Sequence, residues 1–135
     1  MLTLTGISPV ALVLATLFNM ILGYFWYHPR FLGGPWIDAH GFREDALKGN
    51  VKSYVGALVV GLIMAWVVGV FVYSLQASTI SQALELAFFM WLGFIATAHF
   101  SGVIWAKKPI EVYLIDASFY LVSLAGMTLI FTLLK

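Results

Sequence analysis

The sequence predicts an all-α integral membrane protein. The expected architecture is a four-helix transmembrane bundle, with both termini on the outer side and a cytoplasmic interfacial loop between the first two helices. Three observations carry this reading. Of the 135 residues, 62% are hydrophobic and 10% are charged, with a mean hydropathy of +0.99. A soluble domain has roughly 45–50% apolar and about 25% charged residues, so this chain lacks the charge to coat a water-facing surface. Four apolar stretches, about 7–27, 51–76, 80–106 and 110–134, reach the length a helix needs to cross a bilayer core. Lys and Arg are divided unevenly. Arg30, Arg43, Lys48, Lys52, Lys107 and Lys108 fall on one side and Lys135 alone on the other, and the basic side stays in the cytoplasm. The same bias argues against a dual-topology antiparallel dimer. Residues 1–135 read as a single transmembrane domain.

The first span has no Lys or Arg before its apolar run, and that run is too long for a signal-peptide core, so it reads as a retained helix. Trp26 and Tyr27 stand where an interfacial aromatic belt is expected. His28-Pro29 ends the helix, because the residue before proline avoids the α region. In the loop, Gly33-Gly34-Pro35 makes a sharp turn. Segments 35–40 and 42–48 are candidate interfacial helices, with Trp36, Ile37, Phe42 and Leu47 dipping into the headgroup layer; a loop lying over the bundle is the simpler alternative. Asn50 is placed to cap the second span. A tight polar turn at 77–79 leads to the third, where Thr79 and Gln82 fit a capping box. Pro109 fits the first helical position of the fourth span, and Glu111 favours its positive end. Short connections make neighbouring helices antiparallel.

Small residues recur at intervals of four. Ala11, Ala15, Asn19 and Gly23 line the first helix, and Ala57, Gly61, Ala65 and Gly69 the second. Such ridges let backbones approach closely where lipid supplies no hydrophobic drive. They suit packing within the bundle or, alternatively, an oligomer interface. On the fourth helix Asp116, Tyr120, Ser123 and Met127 share one face, which should point inward.

The polar groups inside the spans can be placed by counting. His99 lies about 8.5 residues before the middle of the Lys107–Lys108 turn and Asp116 about 8.5 after it, so both stand roughly 13 Å from it at 1.5 Å per residue. Asn19, eight residues before Tyr27, falls near the same level. The expectation is a buried polar layer of Asn19, His99 and Asp116 with Tyr120 or Tyr113 in reach. If paired, the His99 imidazole can donate to Asp116 and the two titrate as a coupled unit; if unpaired, Asp116 should be neutral. An intramembrane carboxylate is a functional candidate because it is costly, about 2.5–3.5 kcal/mol on insertion scales. The alternative is a satisfied hydrogen-bond cluster that sets helix register. Glu85, near the outer interface, reads as snorkelling to water beside Lys135.

Other chemistries fail on composition. There are no cysteines, and three histidines occur without metal-ligand spacing. One histidine is weak ground for haem or chlorophyll ligation. No catalytic elbow, dinucleotide-binding loop or nucleic-acid patch is present. No enzyme, metal or cofactor is expected, and no nucleic-acid partner.

Three segments carry a resemblance. The first runs Gly23, Trp26, Tyr27, Pro29, Phe31, Gly33, Trp36; the second is Trp91-Leu92-Gly93-Phe94; the third is Ile115-Asp116-Ala117-Ser118 with Tyr120. Together they resemble the bacterial membrane family catalogued as domain of unknown function 1761, whose third segment usually reads Ile-Asn-Ala-Gly. The resemblance implies a four-helix protein of the bacterial inner membrane and no assigned activity. Asp116 stands for the usual Asn and Ser118 for the usual Gly, which adds a charge here. The leading functional expectation is proton-linked transport or permeation of a small solute by a homo-oligomer, with Asp116 and His99 as the coupling pair. The alternative is a non-catalytic accessory subunit of a larger membrane complex, contacting lipid or pigment.

Overall fold

A computed structural model describes residues 1–41 and 49–134. The candidate helix at 42–48, with Phe42, Arg43, Leu47 and Lys48, and the position of Lys135 lie outside the described residues. The elements are α1 (Pro9–Trp26), α2 (Gly33–His40), α3 (Val51–Ser74), α4 (Ile80–Met90), a π-helical stretch (Trp91–Ala96), α5 (Thr97–Trp105) and α6 (Ile110–Leu133). No strand occurs among the described residues. Since α4, the π stretch and α5 run on as one rod, four helices are long and apolar enough to cross a membrane: Pro9–Trp26, Val51–Ser74, Ile80–Trp105 and Ile110–Leu133.

The helix ends follow local chemistry. Ser8 caps α1 by accepting from the Ala11 N–H at 3.2 Å, and Pro9 occupies the first turn, where its missing donor costs nothing. Asn50 caps α3 through the Ser53 N–H at 2.9 Å. Thr79 and Gln82 form the reciprocal capping box at α4. Pro109 is the N-cap of α6 rather than its first helical residue, and Glu111 sits in the first turn. The shift of one residue leaves the reason intact, since proline at either position gives up no helical hydrogen bond.

The last helix is the hub. α1, α2, α3 and α4 all pack on α6, which buries Ile115, Phe119, Ser123, Leu124, Met127 and Phe131 along its length. The apolar core joins the last of these, Leu124, Met127 and Phe131, to Ala11, Ala15, Ala65, Val68 and Val72. Along α1, Ala11 and Ala15 are wholly buried, and Gly23 faces the Phe119 ring. Along α3, Gly61, Ala65 and Gly69 are buried, while Ala57 is exposed. A Cβ at Gly61 would come 3.1 Å from Asn19 Nδ2, so these two stripes meet inside the chain. At Gly69 a Cβ would stand 2.8 Å from the fully buried Phe131 ring. The outer surface carries Val13, Leu17, Ile63, Val67, Phe89 and Phe94, apolar side chains suited to lipid.

Of the two readings of the first connection, the packing of α2 fits the one that lies over the bundle, although the segment is helical. Trp36 and Ile37 do not dip outward from an interfacial helix. Instead α2 folds back onto α6, burying Ile37 to 5% exposure and half-burying Trp36. Gly33 makes the fold-back possible: any Cβ there would collide with the Tyr27 carbonyl oxygen. The turn is closed by Phe31 and Gly33 N–H groups donating to the His28 carbonyl at 2.8 and 3.1 Å.

Candidate functional site

Asp116 sits in the second turn of α6, about 10 Å into the helix at 1.5 Å per residue. Its Oδ1 accepts two hydrogen bonds, from the Tyr27 hydroxyl at 2.5 Å and from the Trp36 indole N–H at 3.0 Å. Tyr27 is the C-cap of α1, and Trp36 comes from α2. Burial first, then the bond to Asp116, holds the Tyr27 hydroxyl above the usual tyrosine range, so it stays a donor. Both partners are neutral. No ion pair to the carboxylate occurs among the described residues, and Oδ2 takes no hydrogen bond from them.

Two more indoles fix the backbone on either side. Trp26 Nε1 donates to the Ile115 carbonyl at 3.1 Å, and Trp91 Nε1 donates to the Ala117 carbonyl at 2.7 Å. Four aromatic donors from α1, its cap, α2 and the π stretch thus converge on three consecutive residues of α6. Tryptophan suits this task because it offers one rigid donor on a large apolar body.

The π stretch shapes the opposite wall. Side chains just beyond it bond back to carbonyls four residues earlier, as Thr16 and Ser118 do in α1 and α6. Thr97 Oγ1 donates to the Gly93 carbonyl at 2.7 Å, and His99 Nδ1 lies 3.0 Å from the Ile95 carbonyl. A carbonyl only accepts, so Nδ1 carries the proton, and in the neutral ring Nε2 is the acceptor. The His99 ring stands 5.5 Å from that of Tyr120.

Tyr27, Trp36, His99, Asp116 and Tyr120 line one open cavity of about 460 Å³. The structure therefore brings His99, Asp116 and Tyr120 to a common space. It does not pair the first two: His99 bonds to its own helix, and Asp116 accepts from Tyr27 and Trp36 through Oδ1. Asn19 is elsewhere. It accepts from the Ser123 hydroxyl at 2.6 Å and lines a neighbouring cavity of about 620 Å³, which shares Tyr27 and Tyr120 with the first. Tyr113 turns away to pack edge-on against Phe100 at 5.2 Å. Ser118 folds onto its own helix, donating to the Leu114 carbonyl at 2.6 Å. Glu85 is exposed beside Gln82 and Phe89. Sequence reasoning misses Tyr27 and Trp36 as site residues. Both stand in the first of the three motif segments, but their rings read there as interface anchors.

The family described as protein of unknown function (DUF1761) matches residues 10–132, which include every residue of this cavity. No curated protein matches the chain, and no solved structure does.

Proposed function

The chain belongs to the DUF1761 family, which brings no activity with it, and from that premise we propose that it is a small membrane carrier or permeation unit. It binds a solute at the Asp116 cavity in proton-linked fashion and works as a homo-oligomer. One observation supports this most. A carboxylate in a membrane-length helix is held through one oxygen by two neutral donors, and it lines an open cavity together with a histidine. A carboxylate that served only to fix helix register gains most from full hydrogen bonding, since a polar group left short of partners at low dielectric is costly. Asp116 is instead fixed through one oxygen only. In this reading the Lys- and Arg-rich connections are cytoplasmic and both termini face outward, in a bacterial inner membrane.

The test is flux in proteoliposomes containing an interior pH dye. Wild-type vesicles should change interior pH when a transported solute is added outside, and Asp116→Asn vesicles should not, with the protein still folded. A wholly active Asp116→Asn carrier would remove the coupling role. The accessory-subunit reading has one observation in its favour. An apolar groove of about 420 Å³ between α3 and the π stretch, lined by Val60, Ile63, Val67, Phe71 and Phe94, is left open by the chain itself. Native mass spectrometry of gently extracted protein separates the two, since a stoichiometric foreign subunit supports the second and a homo-oligomer the first.

A further inference from the structure

We infer that the Asp116 cavity takes a small organic cation, an alkylammonium or quaternary ammonium group, as its ligand. This rests on the carrier reading for its biological role and on charge, size and wall chemistry for its class.

Charge comes first. Asp116 is balanced by no described cationic side chain, and the two donors on Oδ1 are neutral. A second anion beside it would be repelled, and a neutral solute would leave the charge uncompensated in a membrane-length helix. A cation removes both costs. Size is next. The cavity of about 460 Å³ falls in the range of small-molecule sites, roughly 300–1,000 Å³. A bare metal ion would leave most of it unfilled. No group of three or more His, Asp or Glu residues that could hold one occurs among the described residues.

Wall chemistry decides between cations. Three of the five lining residues are the aromatic Tyr27, Trp36 and Tyr120. Tyr27 and Trp36 stand 5.6 Å apart at 76°, edge to face. Tyr120 joins them through Phe119, which lies 5.4 Å from Tyr27 and 5.1 Å from Tyr120 at 69°. The three rings therefore border the same cavity as the carboxylate at differing orientations. Their negative faces attract an alkylated cation within about 6 Å. A strongly hydrated inorganic cation gains less from such a wall, because it wants oxygen ligands. An alkylammonium uses both the carboxylate and the rings.

The test is binding to the full chain in detergent, read by tryptophan fluorescence. The probes are methylammonium, tetramethylammonium, choline and the uncharged carbon isostere of choline. Saturable quenching by at least one cation is expected, with the isostere weaker by about tenfold or more. Asp116→Asn, checked by thermal unfolding, should lose the cation preference. Tyr120→Leu removes a wall without touching either hydrogen bond to Asp116, and should weaken cation binding by about threefold or more. Equal binding of the isostere, undiminished binding by Asp116→Asn, or no saturable binding of any cation would overturn the inference. Flux of an uncharged solute in the proteoliposome assay would then leave the carrier reading standing. Cation binding without flux would do the reverse.

Discussion

Asp116 shows how much of this molecule depends on single side chains. Its Oδ1 rests on one phenol and one indole, each a hydrogen bond to a charged acceptor and worth about 1.5–3 kcal/mol when buried. The cavity is open, so water can replace a lost donor. Tyr27→Phe should therefore destabilise by about 1.5 kcal/mol, at the lower end of that range, in equilibrium unfolding from detergent. Asp116→Asn should behave differently. An amide oxygen still accepts from Tyr27 and Trp36, and the cost of holding a charge in the membrane disappears. That variant should unfold no earlier than wild type, so any loss of binding or flux would report on charge and not on folding. The Asn19–Ser123 pair is more modest. Hydrogen bonds between membrane helices average about 0.6 kcal/mol in double-mutant cycles, and a cycle of Asn19→Ala with Ser123→Ala should return a coupling of that order.

At the scale of elements, α2 is the piece that completes the site, and Gly33 is what lets it do so. Gly33→Ala forces the backbone away from Tyr27. It should cost about 1–3 kcal/mol as an overpacking change and move Trp36 off Asp116, seen as a red-shifted indole emission. Thr79→Ala removes the capping box from α4 and should cost about 1 kcal/mol without altering the cavity. The four long helices were legible because an unbroken apolar run of about 20 residues fits little besides a membrane span. Asp116 and His99 were legible because ionisable groups stand out within such runs. Depth could be counted from the Lys107–Lys108 turn, but rotation about each helix axis could not. The count also failed for Asn19: Tyr27 is the α1 end that meets Asp116, and Asn19 lies against Ser123, about two turns further along α6. The π stretch changes the phase of everything from Thr97 onward, so a regular α-helical count misplaces the direction of His99. Trp36 was illegible on different grounds. A tryptophan in a loop near a membrane surface has the same local pattern whether it anchors in headgroups or turns inward. Only the close approach at Gly33 decides between them.

For the whole molecule, the uneven Lys and Arg distribution makes a prediction about placement. The chain has no cysteine, so single cysteines can be introduced on a clean background. In intact cells Lys107→Cys should resist a membrane-impermeant thiol reagent, and Thr3→Cys should react with it. The reverse pattern would invert the orientation and put the Asp116 cavity near the outer face. The hub position of α6 has a different consequence, for how the protein is made. Every other long helix leaves the ribosome before α6 does. At about 5–20 residues per second, the first helix can pack on α3 early but waits on the order of seconds for α6. During that interval Trp26, Tyr27, Trp36 and Trp91 are in place with nothing on α6 to grip. A nascent chain halted after Lys108 would carry three spans without the helix on which they converge. Closure of the bundle is therefore late in synthesis, because the helix on which the others pack follows them in the chain.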